Sequence, residues 1–257
     1  MPESVTEQQW TEFSRDGFLR LGRTLAGAEL QALQDEIDRI MLGEASVPYG
    51  SMLMQMDSDT GRYEDAGEQS KGFKGPSLSY RKIQDLELDP LFQAYLARPL
   101  FRDICRRVYG PSAGIAIYRA MFMNKPARKG TWLPWHQDRW TQLDRDPTIT
   151  IWTALDPATV ANGCVQIIPG SHAGGLVNRD HPSGFLTEEQ ARKLAPQEKV
   201  VFLELAPGEA VLLHNHLLHA SDVNATDTPR RAFSVCYMDA TTVDRTGARY
   251  TRAFDEA

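Results

Sequence analysis

"TITIWTALDPATVANGCVQIIPGSH", residues 148–172, holds two short runs of strand-forming sequence around a turn. The first run, Thr148 to Leu155, is rich in β-branched residues, and Asn162-Gly163 is a tight-turn signal before the second, "CVQIIPGSH". The same texture extends in both directions. Upstream, "AGIAIYRAMFMN" (113–124) alternates and places Ile115, Ile117, Arg119, Met121 and Met123 on one face. Downstream, "EKVVFLELAPGEAVLLH" (198–214) reads as two short strands hinged at Pro207-Gly208, and "RRAFSVCYMD" (230–239) as another. Short strands separated by turn residues predict an antiparallel barrel or a double-sheet jelly roll.

The first hundred residues read mostly as helix. Thr6 suits an N-cap and Glu7 places an acid in the first turn, with Gly17 ending the segment and "FLRLG" (18–22) a short strand after it. In "AGAELQALQDEIDRIMLG" (26–43), Leu30, Leu33, Ile37 and Ile40/Met41 recur at three-to-four spacing, an amphipathic helix closed by Gly43. Residues 44–76 turn to Gly, Ser, Asp and Met with weak periodicity, which predicts a functional loop, here a candidate lid. "DPLFQAYLARPLFRDICRRVYG" (89–110) returns to helix, interrupted near Pro99. The expected protein is mainly β with N-terminal helices: one domain over 1–257, in which a mostly helical region (1–110) packs on a jelly-roll, cupin-like core (111–245).

Several classes are excluded at this level. Net charge is −6 and no Lys/Arg run exceeds two, so there is no electrostatic footprint for nucleic acid. No apolar stretch is long enough to span a bilayer, and "MPESVTEQQW" lacks the basic start and apolar core of a signal peptide. Cys105, Cys164 and Cys236 are odd in number and widely spaced, which predicts reduced, buried thiols and a cytoplasmic setting. A small-molecule partner is expected; oligomeric state is left open.

Two stretches carry chemistry. In "LPWHQDRW" (133–140), His136 and Asp138 are two apart, so in an extended chain both point to one side. An H-x-D pair alone is a weak signal. Joined by a later histidine, it completes the two-His, one-carboxylate facial set of non-haem Fe(II) oxygenases, which leaves positions open on the metal. "VLLHNHLLHASD" (211–222) offers His214, His216 and His219. His214 and His216 form an H-x-H pair of cupin type, but no glutamate follows before Ala225, and His219 has the opposite parity. Local geometry alone does not choose between them. Ser221 lies two residues beyond His219 and Arg230 eleven beyond. A guanidinium there suits bidentate grip of a carboxylate, as a keto-acid co-substrate requires, or else serves as a buried structural arginine.

The chain resembles the phytanoyl-CoA dioxygenase family of Fe(II)/2-oxoglutarate oxygenases. The resemblance rests on "DGFLRL" (16–21), "RKIQDL" (81–86), "MFMNKP" (121–126), "WHQD" (135–138), "NGCVQIIPGSH" (162–172) and "LLHASDVNATDTPRR" (217–231), in order. It implies that His136, Asp138 and His219 ligate iron, and that Arg230, assisted by Ser221, binds the distal carboxylate of 2-oxoglutarate. It further implies Lys82, Met121, Gln137 and Trp152 around the co-substrate. The implied reaction consumes O₂ and 2-oxoglutarate, releases succinate and CO₂, and hydroxylates a metabolite, or desaturates or cyclises it. Retention of Asp138 argues against halogenation, in which a small residue replaces that carboxylate. His214 and His216 are then expected to support the turn before the metal strand, and His172 and His181 to be structural or superficial. Arg119 and Arg139 hint at an acidic or polar substrate, with a structural ion pair equally open. The alternative is a cupin-like metalloprotein or binding module that uses His214/His216 without oxygenase activity.

Overall fold

A computed structural model describes residues 4–179, 181 and 184–255. The N-terminal half opens with helix α1 (Glu7–Asp16), strand β1 (Phe18–Arg23) and helix α2 (Gly27–Leu42). Thr6 and Gln9 cap α1 reciprocally, and Gly17 and Gly43 end the two helices in the left-handed conformation that glycine adopts without strain. Strands β2 (Leu53–Met56), β3 (Ser70–Lys71) and β4 (Tyr80–Gln84) follow, then helices α3 (Pro90–Leu96) and α4 (Pro99–Tyr109). The β-rich half contains β5 (Ile115–Lys125), β6 (Leu133–His136), β7 (Ile149–Ala154) and β8 (Val165–Ile167). After helix α5 (Glu188–Leu194) come β9 (Val201–Leu203), β10 (Glu209–His214), β11 (His219–Ser221), β12 (Arg230–Asp239) and β13 (Arg252–Phe254).

The strands form two antiparallel sheets, as in a double-stranded β-helix. The major sheet runs β1-β10-β7-β12-β5-β4-β2-β3, with β13 beside β5, and the minor sheet runs β6-β11-β8-β9. Strand β12 shows how one sequence serves two faces. Phe233, Val235 and Tyr237 enter the core on the helical side, whereas Arg230, Ser234 and Cys236 line a cavity on the other. The helical layer closes the first face: Phe92 of α3 meets Phe233 edge-on at 4.8 Å between centroids, and Ile37 and Ile40 of α2 are fully buried in the same core. The second face looks across the cavity to the minor sheet.

The region 1–110 carries helices α1 to α4, and its strands β1 to β4 extend the major sheet on both sides of the jelly-roll strands. Two expectations need correction. Within 44–76, Met52 and Met54 are fully buried and β2 pairs with β4, so the segment is anchored in the sheet and is no free flap. Residues Tyr63 and Gln69 of that segment do reach the cavity. Strand β5 also does not keep one face. Ile115 and Ile117 join the helical-side core, while Arg119, Met121 and Met123 line the cavity. Between Arg119↔Cys236 and Ile117↔Tyr237 the register shifts by one residue, and the extra residue, Tyr118, reverses the parity as a β-bulge does. Cys105, Cys164 and Cys236 are buried and free. Among the described residues no helix is long and apolar enough to cross a membrane.

Candidate active site

Strands β6 and β11 lie side by side with His136 directly opposite His219. Each ring is pinned in the same way: Nδ1 of His136 is 2.8 Å from the Pro134 carbonyl and Nδ1 of His219 is 2.9 Å from that of Leu217. A proton held at Nδ1 leaves the Nε2 lone pair free, which is how metal-binding imidazoles are oriented. The two rings are 4.0 Å apart, and Phe185 stands edge-on to His136 at 5.5 Å. Asp138, just past the end of β6, places one carboxylate oxygen 4.0 Å from His136 Nε2 and the other 3.9 Å from His219 Nε2. Among the described residues these three form the one group of His, Cys, Asp or Glu side chains close enough to share a metal ion.

The electrostatics match a ligand set. Burial, then the neighbouring His219, drives the pKa of His136 down to about 3, so its imidazole is neutral. Burial pushes the Asp138 carboxyl upward, but His219, His136, Arg119 and Lys82 outweigh it and hold the group below its ordinary value, hence ionised. Two imidazole nitrogens and one carboxylate oxygen suit a divalent iron with open coordination positions.

The cavity, about 250 Å³, runs between the two sheets. Arg230 stands at the start of β12, is 2% exposed, and leaves Nε and Nη1 without a hydrogen-bond partner. Its guanidinium lies 5.5 Å from the Trp152 ring centre, and burial lowers its pKa to about 10. Buried polar groups in folded proteins are ordinarily bonded, so an orphaned buried guanidinium fits a missing anion. Ser221, Lys82, Met121 and Trp152 line the same cavity, and Trp152 Nε1 also lacks a partner. Burial, with Arg81 and Arg119 nearby, holds Lys82 well below its ordinary pKa; a bound carboxylate would restore its charge. The residues therefore fit both an iron ion and a dicarboxylate.

Gln137 does not fit the role expected of it. Its amide nitrogen donates to the carbonyls of Gly175 (2.8 Å) and His216 (2.7 Å), and its oxygen accepts from Val177 N at 2.8 Å. Alternation sends this side chain away from the cavity that His136 and Asp138 face, so it fixes the backbone between them. His214 and His216 also stay out of the ligand group. His214 Nδ1 accepts from its own turn's His216 N–H at 3.1 Å, and His216 Nε2 lies 3.7 Å from Asp146. Burial and then His172 lower the His214 pKa to about 4. His172 leans on helix α1, with Nε2 3.2 Å from the Ser14 carbonyl. Arg119 and Arg139 both line the cavity. Sequence reading missed Ser234, Cys236 and Thr150 as lining residues. The signal was present, because Ser234 and Cys236 share the parity of Arg230. Tyr63 and Phe185 had none, since they sit in irregular segments.

A family model described as phytanoyl-CoA dioxygenase matches residues 13–232. Among curated relatives, a probable phytanoyl-CoA dioxygenase of Caenorhabditis elegans is 25% identical over 245 residues, covering 91% of this chain and 76% of that protein. The phytanoyl-CoA dioxygenase of Arabidopsis thaliana is 24% identical over 255 residues, covering 92% and 90%. In fold, the chain is similar to EctD from S. alaskensis, solved with 2-oxoglutarate and 5-hydroxyectoine, at a TM-score of 0.71 and 20% identity over 94% of this chain and 79% of that one. It is also similar to SnoK, a non-heme alpha-ketoglutarate-dependent carbocyclase from nogalamycin biosynthesis, at 0.69 and 20% over 95% and 88%. The chain belongs to the phytanoyl-CoA dioxygenase family and is a non-haem Fe(II)- and 2-oxoglutarate-dependent dioxygenase.

Proposed function

We propose that His136, Asp138 and His219 hold the iron, that Arg230 with Ser221 and Lys82 binds 2-oxoglutarate against Trp152 and Met121, and that a small metabolite is oxidised beside them. Bound iron and 2-oxoglutarate supply the oxidant from O₂, with release of succinate and CO₂. The observation that carries the reading is the buried, unpartnered Arg230 guanidinium in the same cavity as the three converging ligand atoms.

The chain's own groups have distinct tasks. The two Nδ1–H···O=C bonds fix the imidazole rings so that binding needs no reorientation. Asp138 supplies the negative charge on that face. Arg230 orients one end of the dicarboxylate, while Met121 and Trp152 exclude water along its length. Hydroxylation, desaturation and ring closure all remain products of such a site, and we read the described residues as a single oxygenase domain. Three free, buried thiols support a reducing, cytoplasmic setting.

The test is anaerobic titration with Fe(II) and 2-oxoglutarate, following the weak visible charge-transfer band of the chelate. His219→Ala should abolish the band and His214→Ala should keep it. The reverse pattern would transfer the site to the H-x-H pair and sink the proposal. Substrate-dependent succinate formation across a metabolite panel would then narrow the substrate.

A further inference from the structure

We infer that the substrate is a small organic acid, whose carboxylate or phosphate is gripped by Arg119 and Arg139 at the far end of the cavity from Arg230. This inference rests on the oxygenase reading and adds to it the chemical class of the substrate. Four cationic side chains line the cavity, Lys82, Arg119, Arg139 and Arg230, and they face a single carboxylate, Asp138. A divalent metal ion and a dicarboxylate cancel one another and leave that excess unchanged. Omitting Lys82 still leaves more cations than anions. Arg230 is buried and Lys82, Arg119 and Arg139 are half-buried, so part of this excess is shielded from water, and the unpartnered Nε of Arg139 lies with it; the excess points to a second anion.

The positions of the arginines separate them from the co-substrate. Arg230 pairs with Lys125 on β5 and Cys236 pairs with Arg119, six residues along the strand. At about 3.4 Å per residue their backbones are roughly 20 Å apart, so the two side chains enter the cavity at opposite ends. Arg119 makes no ion pair among the described residues. Its guanidinium instead lies over two rings, 5.2 Å from Tyr118 and 5.4 Å from Trp140. Those faces hold the group flat, and beyond its contact with the Tyr118 hydroxyl the guanidinium keeps donors for an anion. The Tyr118 bulge is what turns Arg119 into the cavity at all. Arg139 follows Asp138 directly, makes no ion pair among the described residues, and has a buried Nε without a partner. Asp146 lies near enough to feel its charge, but that carboxylate is already bonded to the Trp140 N–H at 2.8 Å and faces His216. Two planar forks beside aromatic walls suit an anionic head on a compact apolar body. With 2-oxoglutarate in place, a cavity of about 250 Å³ leaves room for little more.

The test uses anaerobic protein saturated with Fe(II) and 2-oxoglutarate, so that the Arg230 end is filled. It is titrated calorimetrically with 3-phenylpropanoate, phenyl phosphate and the uncharged 3-phenylpropanamide. At least one anion should bind about tenfold or more tightly than the amide, and the better anion distinguishes carboxylate from phosphate. Arg119→Gln should remove that preference while the visible band of the chelate persists. If the amide equals both anions, if none of the three binds, or if Arg119→Gln keeps the preference, the inference is overturned. Should Arg119→Gln fail to fold, Arg139→Gln takes its place, and added chloride must weaken the anion preference in the unmodified protein. Absence of the band in the unmodified protein counts against the oxygenase reading instead. The acid-over-amide comparison is then made without iron and still decides the inference.

Discussion

Replacing Arg230 by methionine should make the ligand-free protein more stable and the co-substrate complex far weaker. The guanidinium is 2% exposed, and burial brings its pKa from 12.5 down to about 10. That fall corresponds to about 3 kcal/mol of penalty on the charged form. The Trp152 face, 5.5 Å away, returns roughly 1 kcal/mol. Methionine fills a similar volume without charge, so Arg230→Met should gain about 2 kcal/mol against urea in the absence of iron and 2-oxoglutarate. Binding should move the other way. Two charge-assisted hydrogen bonds to a carboxylate contribute about 3 kcal/mol or more together, so affinity for 2-oxoglutarate should fall by about a hundredfold or more. Equilibrium unfolding measures the first effect and anaerobic calorimetry the second. A variant that loses stability while binding 2-oxoglutarate normally would show Arg230 to be a structural cation, and the site assignment built on it would fall.

Two further predictions concern groups outside the cavity. Burial raises the Glu87 pKa to about 7 and leaves Oε2 unpartnered. Below pH ~4.5 the carboxyl is neutral in both folded and unfolded chains; as pH rises through 7 only the folded chain must bury the charge, so stability declines across that window. Glu87→Gln should therefore change little at pH 4 and stabilise at pH 8 by on the order of 1–2 kcal/mol in urea unfolding, less than full burial would give because the group is partly exposed; equal effects at both pH values would contradict it. Gly163 has φ +75°, and a Cβ there would lie 2.3 Å from the Asp222 carbonyl oxygen. Gly163→Ala should destabilise by about 2 kcal/mol or more and weaken metal binding by displacing the strand that carries His219, measured by unfolding and Fe(II) titration.

What the sequence made legible follows from pattern length. The long strands β5 and β12 carry enough alternation to be read, β7 enough β-branched residues, and helix α2 enough periodicity. Strands β2 and β4 did not. They run four and five residues, and Arg81-Lys82 interrupts the apolar pattern of β4 with two charges. Lys82 is there for the cavity, so the residue that hid the strand is one that the site uses. The same conflict affected β5, where alternation alone extended one face through Ile115, and only the pairing with β12 reveals the extra residue at Tyr118. Gln137 was misread because it stands between the two proposed ligands His136 and Asp138; parity, applied strictly to "WHQD", points it away from them. For the proposed metal set, parity joins His136 to Asp138, and it is the pairing of β6 with β11 that sets His219 opposite His136.

The adjacent pair Arg230 and Arg231 gives the strongest argument that the cavity is built for anions. Both begin the same strand, and alternation sends them to opposite faces of the major sheet. Arg231 meets Asp156 at 2.7 Å and also Asp38 of α2, so it ties the helical layer to the sheet. The fold thus supplies two carboxylates to the arginine that ties these two layers together. One residue earlier it supplies none, and gives Arg230 an aromatic face and open space instead. Chance burial does not account for this contrast, since an unpaired buried cation is among the features most readily lost to a neutral residue of similar volume. Arg119 repeats the arrangement at the other end of the cavity, over Tyr118 and Trp140 and again without a carboxylate. Two arginines without an ion pair among the described residues, far apart along one pair of strands, support the proposal of two anions: one for the co-substrate and one for the molecule it helps to oxidise.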